Sequence, residues 1–144
     1  MYDIALIHTG TALHGDTPAD IAGILRRLPP VFPDALVELM KWRGCSVEAL
    51  AENALTSRRT IQRLRTDMTL SPEVDTLISL SVGLRLPPAM LRAVMHRAGR
   101  SFLPTERHVV FQELQPEAYR LGLSMYEFDM ALEAHGFRPI GQID

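Results

Sequence analysis

The chain lacks the features that mark several large protein classes. It holds one cysteine, Cys45, among 144 residues, which excludes an intrachain disulfide and a zinc cage built of cysteines. Its longest aliphatic runs, such as Ile4-Ala5-Leu6-Ile7, fall far short of the roughly 20 apolar residues of a membrane-spanning helix. The opening Met1-Tyr2-Asp3 has no basic segment of the kind that begins a secretory leader. A cytoplasmic protein with no membrane partner is therefore expected. No internal repeat or low-complexity tract occurs. There is no H-E-x-x-H, no Gly-rich phosphate loop and no paired-carboxylate constellation, so the sequence reads as a non-enzyme that needs no cofactor and no metal.

What is present is globular. Hydrophobic residues make up 47% and charged residues 22% of the chain, enough apolar surface to support a core without staples. The net charge of −2 hides an asymmetry. Ten Lys or Arg and five Asp or Glu lie between Lys41 and Arg100, a balance of +5, whereas residues 101–144 carry three Arg against seven acids, a balance of −4. A polyanionic partner would meet the middle of the chain.

Pro and Gly punctuate the sequence in helical order, Pro where helices start and Gly where they stop. Thr17-Pro18-Ala19-Asp20 suits a cap, and Pro33 opens a second helix that Gly44 closes. Ser46 and Ser57 look like N-caps. Further starts are expected at Ser71-Pro72, Pro87-Pro88, Pro104, Pro116 and Ser124, where Ser124-Met125-Tyr126-Glu127 matches a capping box. Gly83, Gly99, Gly122 and Gly136 mark stops. The expected fold class is all-α, with seven or eight short helices. Residues 1–16 differ: Tyr2, Ile4 and Leu6 alternate with Asp3 and Ala5, the pattern of a short strand or of a disordered lead.

The stretch from Ser46 to Arg65, SVEALAENALTSRRTIQRLR, contains two helices of eight to ten residues with a break of about three between them, the requirement of a helix-turn-helix. Leu50, Ala54, Ile61 and Leu64 can meet between the two, and Ala51 is small where they approach. On these residues, with Thr60-Ile61-Gln62-Arg63 and the later Leu77, Leu80, Gly83 and Leu84, residues 34–98 resemble the lambda-repressor-like, or Cro/XRE-type, helix-turn-helix domain of bacterial and phage regulators. Leu55 and Val47 stand where that family commonly has Gly and Gln. The resemblance implies a five-helix repressor-like DNA-binding domain over 33–100. An N-terminal arm with one short helix would precede it (1–32), and a C-terminal helical appendage for dimerisation or signal reception would follow (101–144).

Projected at about 100° per residue, the second helix of the pair puts Ile61, Leu64 and Ser57 on one face and Arg59, Gln62 and Arg63 opposite. Arg bonds guanine O6 and N7 together and Gln does the same for adenine, so these three are the expected base readers in the major groove. Arg58, Arg65, Lys41 and Arg43 are expected to track phosphates, helped by backbone N–H donors of the helix starts at Ser46 and Ser57. Double-stranded DNA is thus the expected partner, read by a transcriptional regulator. The alternative is an adaptor or antitoxin-like partner that kept the helix-turn-helix core without binding DNA; a regulatory protein partner fits either reading.

The helix at about 125–135 is apolar around much of its girth, which calls for cover on two sides. A homodimer held by Met125, Phe128 and Leu132 is the expected arrangement. The remaining candidates are weak. His8 and His14 with Asp16 form the one metal-like cluster and read best as histidines of a terminus. Cys45, beside an N-cap, is read as a small half-buried residue rather than a thiolate, and Trp42 as core.

Overall fold

Side-chain caps and prolines set the helix boundaries, as the sequence pattern leads one to expect. The computed structural model describes residues 16–141. Within them are eight helices and no strand: α1 (Pro18–Arg27), α2 (Phe32–Arg43), α3 (Val47–Ala54), α4 (Arg58–Thr66), α5 (Val74–Gly83), α6 (Pro88–Arg97), α7 (Glu106–Leu121) and α8 (Met125–Ala134). The chain is all-α over that range. The alternating segment at 2–6, with His8 and His14, lies outside the described residues. No described helix is long and apolar enough to cross a membrane.

Thr17 and Ser124 each close a full capping box, with Asp20 and Glu127 respectively, and each box satisfies two backbone donors at a helix start. Ser46 and Ser57 accept the N–H groups of Ala49 and Thr60 at 3.1 Å. Gly44 and Gly122 end α2 and α7 in the left-handed conformation. One expected start fails. Pro116 lies inside α7, which runs unbroken from Glu106 to Leu121. A proline there costs an isolated helix about 3 kcal/mol, but Val110, Phe111 and Ala118 bury on both sides of it, and tertiary burial carries the helix through.

The buried hydrophobic residues form one cluster from Ile24 in α1 to Leu132 in α8. Helix α5 is its axis, packed against α3, α6, α7 and α8, while α2 packs on α4 and α6. The core therefore continues across Arg100, where the charge sign changes. Gly83 makes the closest approach possible: a Cβ there would stand 3.0 Å from Leu50 Cδ1 and 3.2 Å from the Ala54 backbone nitrogen. Lacking a side chain, Gly83 lets the end of α5 lie directly against α3, which fixes one half of the α3–α4 pair.

Helix α8 corrects an expectation. Met125, Phe128 and Leu132 are 1%, 0% and 0% exposed, so they are core of their own chain and are closed to a second subunit. Phe128 faces Phe111 of α7 with ring centroids 6.5 Å apart. The outward face carries Tyr126 and Met130 instead, 60% and 67% exposed. The buried side of this apolar helix is covered by α5 and α7.

Candidate functional site

Helix α4 is anchored by Ile61 and Leu64, both buried, against α2 and α3. Leu55, Thr56 and Ser57 separate it from α3. Leu55, the cap of α3, adopts φ 54° and ψ 51°, so the left-handed turn conformation that glycine provides freely is here taken by leucine, at a cost of about 1 kcal/mol or more. Thr56 N–H bonds Ala51 O at 2.9 Å across the turn.

Anchoring one face exposes the other. Arg58, Arg59, Gln62 and Arg63 are all exposed, and Arg65 is half-buried. Arg59, Gln62 and Arg63 make no side-chain hydrogen bond or close ion pair with any other described residue. The Asp67 carboxyl is lowered chiefly by the bonds it accepts from the Thr69 hydroxyl and backbone N–H, with a smaller contribution from nearby Arg63. Arg58 pairs with Glu48 of α3 at 3.1 Å, both side chains well exposed. A pair of this kind contributes at most about 1 kcal/mol, so an external anion can displace Glu48. The Nε of Arg65 is enclosed without a hydrogen-bond partner. Lys41 and Ser46 are exposed at the neighbouring end of α2 and start of α3, and Ser57 is half-buried at the start of α4.

Arg43 is not on this surface. Its guanidinium lies inside the fold, 12% exposed, with Nη1 donating to Asp16 Oδ1 at 2.6 Å and Nη2 to Asp16 Oδ2 at 3.0 Å. Nε and Nη2 also donate to the carbonyls of Leu84 and Arg85 at the end of α5, and the cation lies 3.8 Å from the Trp42 ring centroid. Arg43 therefore leaves the set of phosphate contacts, because a carboxylate and two backbone carbonyls already take its donors. Asp16, the described member of the weak histidine cluster, is held by this pair and by the Tyr119 hydroxyl, which donates to it at 2.7 Å.

Burial and that bond to Asp16 push the Tyr119 phenol up to about 12. The neutral phenol is the form the fold favours, so the stability it contributes is complete below about pH 10, the unfolded value, and disappears as pH rises towards 12. Thermal melts across this alkaline window should fall steeply for the native chain and less steeply for Tyr119→Phe. Parallel curves would remove Tyr119 as the cause. Cys45 shifts the same way, its thiol pushed up by burial, which disfavours a thiolate at the start of α3.

Other arginines of the basic middle segment are also internal ties. Arg85 donates to Tyr119 O and Arg120 O at the end of α7, Arg97 to Leu28 O and Pro29 O, and Arg100 to Ser71 O and Pro72 O. These long-range ties, 28 to 69 residues apart in sequence, have no local sequence signal. With them removed, the cations left facing outward in the middle segment concentrate on α4. Among the described residues, no group of three His, Cys, Asp or Glu side chains is placed to hold a metal ion. No protein-family model matches this chain, and no curated protein or solved structure matches it significantly.

Proposed function

We propose that α2–α6 form a repressor-like helix-turn-helix domain of Cro/XRE type, and that the protein regulates transcription by reading duplex DNA with α4 in the major groove. One observation carries this reading. The row Arg59, Gln62 and Arg63 stands exposed and without side-chain hydrogen bonds or close ion pairs among the described residues, whereas Arg43, Arg85, Arg97 and Arg100 of the same basic segment bond backbone carbonyls of the fold. Side chains of these types match the acceptor pairs of guanine and adenine. Arg58, Arg65 and Lys41 flank the row and would meet phosphates, with the backbone N–H groups at the starts of α3 and α4 beside them.

With Arg43 excluded, three cations per chain track the backbone. At about 0.9 per contact the log–log slope of affinity against salt should be near −3, so raising salt from about 50 to about 200 mM weakens binding roughly 40-fold. Arg59→Ala and Arg63→Ala should each lower discrimination between a selected duplex and its point variants by about 1–3 kcal/mol, whereas Arg65→Ala should weaken all duplexes alike. Fluorescence anisotropy against a randomised duplex, then against selected sequences, measures both. Equal effects of the three substitutions on every sequence would refute the groove assignment. Absence of duplex binding at low salt would leave the adaptor reading in its place.

A further inference from the structure

We infer that residues 136–141 form a strap that holds the turn between α3 and α4 in place, with Asp129 as its positioning residue. The inference rests on the reading of α4 as the duplex-reading helix and says how that helix is aimed. The turn needs support. Leu55 sits in a backbone region that leucine rarely takes, and α4 begins at Arg58. A relaxed Leu55 would therefore swing all of α4 relative to α3.

The C-terminal segment lies directly over that leucine. A Cβ on Gly141 would stand 2.7 Å from Leu55 Cδ1, 3.0 Å from Leu55 Cβ and 2.7 Å from Asp129 Oδ2, so Gly141 is held between the turn and α8. Asp129, 8% exposed, grips the strap with both carboxylate oxygens: Oδ1 accepts the Ile140 N–H at 2.7 Å and Oδ2 the Gly141 N–H at 2.9 Å. Arg107 of α7 fastens it again, donating Nη1 to Arg138 O at 3.0 Å while Nη2 pairs with Asp75 of α5 at 2.9 Å. Ile140 joins the edge of the core, and Thr56 and Thr60 share a shallow cleft with Arg138 and Ile140. The acidic C-terminal region thus reaches the start of α4 at Leu55, the turn residue with a left-handed backbone. Bonds to a charged acceptor are the strong kind, which suits a fastening of only two backbone donors.

The test uses the full chain in two variants that reach the strap from opposite sides. Asp129→Asn keeps the shape but gives up one of the two acceptors, and Gly141→Val drives a side chain between Leu55 and Asp129. Hydrogen exchange at the amides of Leu55 and Thr56, both bonded across the turn, should become at least about tenfold faster in both variants. The amides of α6 should hold their native rates. Affinity for random duplex DNA should fall roughly threefold to tenfold in parallel. Unchanged exchange at the turn in either variant overturns the proposal. So does a general acceleration that includes α6, which would make Asp129 a structural residue and nothing more. If the native chain binds no duplex, the proposed function fails, yet the exchange rates still decide whether the strap holds the turn.

Discussion

Phe128→Glu should abolish folding of the chain. Phe128 is fully buried, with Met125 and Leu132 beside it on α8 and the ring of Phe111 across from it. Truncating such a side chain to alanine costs about 3–5 kcal/mol. A glutamate adds the penalty of a buried carboxyl, charged or forced neutral, for which the surrounding apolar side chains offer no partner. The sum meets or exceeds the total stability of an ordinary domain, about 5–15 kcal/mol. Far-ultraviolet circular dichroism should show a chain that has lost most of its helix at 25 °C, and Phe128→Leu should remain folded with a modest loss, about 1 kcal/mol or slightly more. Met130→Glu, on the exposed face, should melt like the native protein. That contrast separates core from interface: a Phe128→Glu chain with native helix content would mean that α8 does not pack as described. Light scattering of Met130→Glu beside the native chain then reports whether two copies pair through the outward face.

Helix boundaries were legible because they are set locally. Thr17, Ser46, Ser57 and Ser124 cap within three residues of themselves, and a serine or threonine oxygen needs no distant partner to act. The outward row of α4 was legible for the same reason, since Ile61 and Leu64 fix the helix face by periodicity alone. Pro116 was not, because what carries a helix through a proline is the burial of Phe111 and Ala118 against other elements. Helix α8 shows a subtler gap. Its apolar girth can be counted in sequence, but which side the fold covers depends on where α5 and α7 lie. The arginines mark the limit most clearly: a basic residue at the end of a helix reads alike whether it faces solvent, as Lys41 does, or turns inward to a carboxylate 27 residues away, as Arg43 does. Leu55 is intermediate. The sequence marks it as a departure from the glycine of the resembled family, and only the folded structure shows a physical reason for a leucine to stay there: its side chain is buried in the core, with Gly141 packed over it.

Arg43→Ala should destabilise the protein by about 3–5 kcal/mol, the usual cost of removing one partner from a buried ion pair. The side chain of Asp16 is 1% exposed, so its carboxylate cannot recover the lost bonds from water. It would keep the Tyr119 hydroxyl alone. The carbonyls of Leu84 and Arg85 would lose a donor as well, and with them the tie that joins the end of α2 to the end of α5. Arg43→Lys should rescue little, because an ammonium cannot meet two carboxylate oxygens and two carbonyls with one planar fork. Removing both charges should cost less than the single change implies: in Arg43→Met/Asp16→Leu no carboxylate remains stranded, and the coupling between the two sites should exceed about 1 kcal/mol in a double-mutant cycle read by urea unfolding. Under the proposed function, duplex binding provides the discriminating measurement. At a temperature where Arg43→Ala is still folded, its affinity for DNA and its salt slope should match those of the native chain, whereas Arg58→Ala should lower the slope by about 0.9. An Arg43→Ala protein of native stability and shallower salt slope would return this side chain to the phosphate backbone.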